Sequence, residues 1–214
     1  VREFELIDLG MLDYVEALGR QLERVDAILE GTAPDALFLV EHPPVLTLGA
    51  GFKAEHLLEP LEAYEASGIQ VLRTGRGGDV TYHGPGQLVM YPVFRIDERG
   101  RDLHQWLRQL EETQLFVLSR LGLVGRRFSP HTGVWIENEK VAAIGIQVRR
   151  WVSFHGIALN CDVDLSPFER IVPCGIQGYG VTRLSRALAR QVSVGEVKPL
   201  AAQAFRDVFS SGYA

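Results

Sequence analysis

Apolar residues recur at three- and four-residue steps through residues 11–29, where Tyr14, Leu18, Leu22, Val25 and Leu29 share one face. This spacing predicts an amphipathic helix. A second helix is predicted over residues 102–121, with Leu103, Trp106, Leu107, Leu110, Val117 and Leu121 turned inward. Between the two the apolar runs are shorter and denser. Residues 36–40 read as a buried strand closed by Pro43-Pro44, and residues 45–48 as a second strand ending at Gly49 and Gly51. Residues 69–73 and 87–94 read as a third and a fourth. After the second helix the period becomes that of strands, over residues 133–137, 140–148 and 154–160, with Asn138-Glu139 as a hairpin turn between the first two. Ser193-Val194-Gly195-Glu196 has capping-box spacing and opens a last helix bearing Val197, Leu200, Ala204, Phe205 and Val208. Helices and strands mix without strict alternation. That pattern predicts an α+β fold, a mixed and mostly antiparallel sheet flanked by helices, and not a doubly wound one. One domain over residues 1–214 is expected, the region after about Val181 forming a small appendix.

Composition narrows the function classes. Of 214 residues, 46% are hydrophobic and 23% charged, as in folded proteins, so disorder is excluded as the main state. The net charge of -5, from 22 basic and 27 acidic residues, argues against nucleic-acid binding. Arg126-Arg127 and Arg149-Arg150 are equally a local basic patch or two solvated pairs. No apolar run approaches the roughly 20 residues that span a bilayer. The first five residues carry acids and lack the features of an export signal. A cytoplasmic location is therefore expected, with Cys161 and Cys174 as free thiols. The six histidines (His42, His56, His83, His104, His131 and His155) and the cysteines show no metal-ligand spacing.

Residues 76–87 hold four glycines and a proline. Glycine lets a ligand approach the main chain, and Arg76, Tyr82 and His83 could supply walls and fixed polar groups. The segment lacks the Gly-Lys-Ser/Thr of a phosphate loop and the third spaced glycine of a dinucleotide fingerprint. A binding loop is expected, with a tight hairpin as the plain alternative.

Cys161 follows a strand and reads as a small buried hydrophobe. Cys174 stands between Pro173 and Gly175, in a loop where a sulfur can face a pocket. Such a thiol needs help to ionise, and a neighbouring lysine can stabilise the thiolate or accept the proton. Among Lys53, Lys140 and Lys198, Lys140 begins a strand of small and apolar residues, Val141-Ala142-Ala143-Ile144-Gly145. An amine there loses part of its hydration, a setting that suits a base. A solvated turn lysine is the bland alternative, and spacing alone favours it.

Taken together, RGGDVTYHGPGQLVMYP (76–92), GVWI (133–136), KVAAIG (140–145), SFHGIALN (153–160), DLSPF (164–168) and IVPCG (171–175) resemble the lipoyl(octanoyl) transferases. The resemblance runs from about Ala36 to Leu184 in the family's order. It implies the fold of the biotin and lipoate protein ligases. It also implies transfer of octanoyl from the phosphopantetheine arm of acyl carrier protein to a lysine of a lipoyl domain, with no other cofactor and no metal. The acceptors implied are the lipoyl domains of 2-oxoacid dehydrogenase complexes and the glycine-cleavage H protein. The family's acyl-thioester cysteine falls on Cys174 and its activating lysine on Lys140. Its substrate pocket falls on Arg76, Gly77, Gly78, Asp79, Val80, Thr81, Tyr82 and His83, on Ala143, Ile144 and Gly145, and on Gly156, Ile157 and Ala158. Tyr82 and His83 are expected to shape the pocket or orient a carbonyl. Asp79 and Arg183 depart from the family's usual residues and bear on partner details. Two other readings compete: an ATP-dependent ligase of the same fold, which needs no nucleophilic thiol, and a non-catalytic module that binds an acyl chain or its carrier.

Overall fold

A computed structural model describes residues 3–97, 100–129, 131–173 and 179–210. In chain order it contains β1 (Glu5–Met11), α1 (Tyr14–Glu30), β2 (Ala36–Glu41), β3 (Val45–Leu48), α2 (Leu61–Ala66), β4 (Gln70–Arg73), β5 (Val80–His83) and β6 (Gln87–Arg95). Then come α3 (Leu103–Arg120), β7 (Gly125–Phe128), β8 (His131–Ile136), β9 (Glu139–Arg149), β10 (Val152–Asn160), β11 (Gly180–Val181), α4 (Leu184–Ala187) and α5 (Val194–Ser210). The three predicted helices are present, and the first two are each trimmed by an aspartate that satisfies the free amides of the first turn. Asp13 accepts from the Val15 and Glu16 N–H groups, so α1 starts after it and Met11 ends a strand instead. Asp102 does the same for α3 through His104 and Gln105. At α5, Ser193 Oγ accepts from Glu196 N–H at 3.2 Å, but the Glu196 carboxylate turns to Arg190 and leaves the capping box half made.

The larger sheet runs β1-β2-β6-β10-β9-β8-β7, and the smaller runs β4-β3-β5. Pairing is antiparallel in both except for β1 with β2, β3 with β4, and β11 with β9. One face of the larger sheet buries Leu88, Met90, Ile157 and Leu159 against Trp106 and Leu110 of α3 and Phe205 and Val208 of α5. The region after Val181 is therefore no appendix, because α5 completes the main core. The other face buries Phe38, Val89, Tyr91 and Phe154 against Ala17, Val25 and Ile28 of α1. Farther along this face, the smaller sheet lies over its own apolar cluster of Leu46, Val80, Tyr82 and Phe168.

Side chains of a strand alternate between faces, and here the alternation breaks twice. In β9, Ala142 lies opposite Val134 while Lys140 lies opposite Trp135, so Val141 is an extra residue. Val141 and Ala142 both enter the α3–α5 core, and the bulge turns Lys140 to the opposite face. In β10, His155 adopts a left-handed backbone (φ 56). Its ring then lies beside that of Phe154, with centroids 5.0 Å apart, instead of on the Ser153 side. Gln21 of α1 holds this kink by accepting the His155 N–H at 2.8 Å. A side chain at Gly156 would place its Cβ 2.3 Å from the Met90 carbonyl oxygen and 2.7 Å from Pro92 Cδ.

Gly156→Ala must therefore shift main chain in the middle of the sheet. The expected loss is about 2 kcal/mol or more, a fall in melting temperature of roughly 4–8 °C for a chain of this size. Gly19→Ala, in α1 with nothing within 4 Å of the added Cβ, should instead gain about 0.5–1 kcal/mol. Thermal denaturation of both variants checks the pair, and equal melting points would contradict the packing described.

Candidate functional site

A crevice of about 450 Å³, its open mouth included, lies between the α1 face of the larger sheet and the glycine-rich loop. Arg76, Gly77, Gly78 and Asp79 form its roof, and Thr81 and His83 of β5 one wall. Ala143, Ile144 and Gly145 of β9, with Gly156, Ile157 and Ala158 of β10, form the floor. The roof is fixed by main-chain bonds: Gly77 N–H donates to the Ile146 carbonyl, and the N–H groups of Gly49, Ala50 and Gly51 donate to the carbonyls of Asp79, Arg76 and Gly78. A Cβ at Gly145 would lie 2.7 Å from the Gly77 oxygen, and at Gly49 2.3 Å from the Gly78 oxygen. The glycine loop closes on the sheet because these positions lack side chains. Its centre is not a loop, however: residues 80–83 are β5, and strand alternation sends Val80 and Tyr82 away from the crevice into the Phe168 cluster.

Tyr14, Val89, Tyr91 and His155 also line the crevice. By sequence pattern Tyr14 belongs to a helix face, Val89 and Tyr91 to a buried strand, and His155 to another strand. The alternation of Val89 and Tyr91 with core-facing Leu88 and Met90 was the available signal for one of these faces. Nothing in the sequence announced the kink that brings His155 round.

The polar groups of this wall are locked in one donor–acceptor order. Asn160 Nδ2 donates to the Thr182 carbonyl (2.9 Å), and Asn160 Oδ1 accepts from Gln87 Nε2 (2.9 Å), which also donates to the Tyr82 carbonyl (3.1 Å). Gln87 Oε1 therefore accepts from His83 Nδ1–H (2.7 Å). His83 Nε2 is left to accept from the Thr47 hydroxyl (3.3 Å), whose oxygen accepts from Arg76 Nε and Nη2 at 3.0 and 2.8 Å. With both nitrogens engaged, His83 is a wall and not a free base. Burial pushes its imidazole down to about 3, and burial with the nearby Arg76 charge does the same for His155, also to about 3. Tyr14 O–H meets His155 Nδ1 at 3.3 Å, and Tyr91 O–H meets His42 Nε2 at 2.8 Å.

Lys140 is buried, with 8% of its surface exposed. Its Nζ donates to the Thr132 carbonyl at 3.1 Å and lies 4.6 Å from the centre of the Trp135 ring, a cation–π contact. It lines a second, smaller cavity with Gln87, Asn160, Phe168, Pro173 and Val181, and the two cavities share Thr81, Ala143 and Ala158 as walls. Cys174 lies outside the described residues. The residues on either side of that segment converge on Lys140: Pro173 lines its cavity, and β11 pairs Gly180 with Glu139 and Val181 with Lys140. Cys161 is buried in the main core, and burial pushes its thiol up to about 12, which makes it inert packing. Arg183 donates to the Val163 carbonyl at 2.8 Å, and Asp79 binds His56 and caps the Val80 N–H. Among the described residues no group of three His, Cys, Asp or Glu side chains is gathered as metal ligands would be, and no helix is long and apolar enough to cross a membrane.

The lipoyl protein ligase A/B catalytic domain family matches residues 13–206. The octanoyltransferase of Geobacter metallireducens is 47% identical over 89% of this chain and 86% of its own length. That of Maridesulfovibrio salexigens is 42% identical over 96% of both. Among solved structures, a lipoate-protein ligase A bound with ATP superposes with TM-score 0.77 at 21% identity, covering 97% of this chain and 86% of its own. A bipartite lipoate protein ligase from Thermoplasma acidophilum gives 0.76 at 19%, covering 98% and 85%. The biotin protein ligase of Aquifex aeolicus gives 0.54 at 12%, covering 97% and 70%. The fold is that of the lipoate and biotin ligases.

His83 and His155 are neutral in the fold with pKa values near 3, against 6.5 for a free imidazole. Between those values the unfolded chain binds more protons than the folded one, so stability falls as pH drops from about 6.5 toward 3. Each ring costs about 1.4 kcal/mol per pH unit in that window and nothing above it. Denaturant midpoints should be level from pH 8 to 7 and then fall steeply to pH 5, with a shallower fall in His155→Gln. A level profile down to pH 5 would contradict the neutral wall.

Proposed function

The chain belongs to the lipoyl protein ligase A/B catalytic domain family and, with relatives 42% to 47% identical, to the octanoyltransferases of protein lipoylation, and we propose that it works through an acyl-enzyme on Cys174 with Lys140 as base. In this reading the donor is octanoyl on the phosphopantetheine thiol of acyl carrier protein, and the acceptor is a lysine of a lipoyl domain. Those domains belong to 2-oxoacid dehydrogenase complexes and the glycine-cleavage H protein, and the setting is the cytoplasm. The observation that supports the reading is a pair of adjacent cavities with Thr81, Ala143 and Ala158 as common walls. One holds the Lys140 amine and Pro173, to which residue 174 is bonded. The other continues along Ala143, Ala158, Gly145 and Gly156.

Lys140 takes the thiol proton as Cys174 attacks the donor thioester. The tetrahedral intermediate expels the carrier thiolate, which recovers that proton from Lys140. The acceptor amine then attacks the Cys174 thioester, Lys140 takes the excess amine proton, and the cysteine leaves as an amide forms. Thioester exchange is close to isoenergetic and amide formation is downhill, so neither half reaction calls for ATP or a further cofactor. Splitting the transfer in two is what covalent catalysis supplies. The strand from Lys140 to Gly145 covers six residues, on the order of 15 Å, and an extended eight-carbon chain of about 9 Å is shorter than that span. Arg76, Gly77, Gly78, Asp79, Thr81 and His83 close over the tail, while Val80 and Tyr82 support that wall from behind.

Incubation with octanoyl-acyl carrier protein should add one octanoyl group to the intact protein, removed by hydroxylamine and absent in Cys174→Ala. Lys140→Met should slow its formation about 10²–10⁴-fold. Product formed without any adduct in the native chain, or from free octanoate and ATP in Cys174→Ser, would favour a ligase instead. Ala143→Val should shift preference toward shorter acyl chains, each lost buried methylene being worth about 0.8 kcal/mol, or roughly fourfold. An unaltered chain-length profile would remove Ala143 from the tail site.

A further inference from the structure

Building on the reading of Lys140 as base, we propose that Glu111 is a positioning residue that fixes the Lys140 amine through the peptide group between Thr132 and Gly133. Glu111 lies on the inner face of α3 and is 1% exposed. A carboxylate buried there needs partners. Its Oε2 has two, accepting from Arg108 Nη1 at 2.8 Å and Arg127 Nε at 3.0 Å. Its Oε1 does something else: it accepts the Gly133 N–H at 3.0 Å. The carbonyl of that same peptide unit, on Thr132, accepts from Lys140 Nζ at 3.1 Å.

A trans peptide carries its N–H and its C=O on opposite edges. A carboxylate anchored on the N–H edge therefore aims the carbonyl away from α3, at the amine. Hydrogen bonding to the N–H also polarises the amide and strengthens its oxygen as an acceptor. Gly133 makes the arrangement possible, since its φ is 128 and a Cβ there would sit 2.6 Å from the Ala142 oxygen and 3.3 Å from Lys140 Cε. With one Nζ bond held by Thr132 and the Trp135 ring alongside, the amine keeps a fixed bearing toward the cavity it shares with Pro173. The charged groups packed around this relay are Arg108, Glu112 and Arg127, with Glu139 paired to Arg186 near the other end of the lysine.

Two substitutions separate reach from charge. Glu111→Gln loses the charge but keeps an oxygen at the same distance from Gly133. Glu111→Asp keeps the charge and can keep its arginines, but its shorter side chain withdraws the oxygen. With octanoyl-acyl carrier protein as substrate, Glu111→Gln should retain kcat within about threefold of the native enzyme, and Glu111→Asp should lose about 20-fold in kcat with KM within about twofold. Native kcat in Glu111→Asp, equal loss in both variants, or a loss that appears in KM would overturn the proposal. Acyl-enzyme formation by the native chain is read in the same assay. Its absence would sink the Lys140–Cys174 reading itself, whereas a normal adduct in the native chain and at undiminished rate in Glu111→Asp would sink only the role of Glu111.

Discussion

In β9, pairing Trp135 with Lys140 and Val134 with Ala142 leaves Val141 unmatched, and the amine of Lys140 stands on the cavity side of the sheet because of that extra residue. Strict alternation would have placed it with Ala142 and Ile144, under α3 and α5, among side chains that cannot solvate a charge. The bulge therefore does for Lys140 what the left-handed residue does for His155. Each turns a polar side chain out of the main core and toward the space beneath the glycine loop. The arrangement of the site follows from these two local departures from regular strand geometry.

Apart from Arg76 and Asp79 of the roof, the polar side chains lining the crevice are neutral. Two histidines and two tyrosines line it, with His42 packed behind Tyr14, His83 and Tyr91, and burial holds the imidazoles of His42, His83 and His155 below their usual range. In the acyl-enzyme reading proposed above, an alkyl chain lies against a surface whose hydrogen bonds run among its own members, from Thr182 through Asn160, Gln87, His83 and Thr47 to Arg76. The guanidinium of Arg76 binds the Thr47 and Asp79 carbonyls and so ties the roof loop to the smaller sheet.

Much of this was legible in the residues. The three long helices and β2, β3, β4, β6, β8, β9 and β10 were announced by apolar period or, for α5, by its capping sequence. The elements that escaped notice bury little or are short: β1 at the sheet edge, β7 with exposed Arg126 and Arg127, and α2, a turn and a half long. β5 was hidden because glycines on both sides made the whole segment read as loop, and with it went the knowledge that Val80 and Tyr82 face away. Arg76 to Asp79, Thr81, His83 and the two small-residue stretches were found through motif resemblance, since spacing alone could not join β5, β9 and β10 in space. Tyr14, Tyr91 and His155 were missed because each looked like ordinary core. Only the fold shows that this part of the core is the lining of a cavity.

Transfer through an acyl-enzyme on Cys174 with Lys140 as base requires the amine of residue 140 and the sulfur of residue 174 to be neighbours. o-Phthalaldehyde condenses an amine and a thiol into a fluorescent isoindole only when the two are within bonding reach of each other. Treating the folded chain with it and mapping the linked peptides measures that adjacency without any assumption about substrate. One isoindole per chain, joining Lys140 to Cys174, is the predicted result. A folded chain that gives none, or that links Cys174 to Lys53 or Lys198, would contradict it.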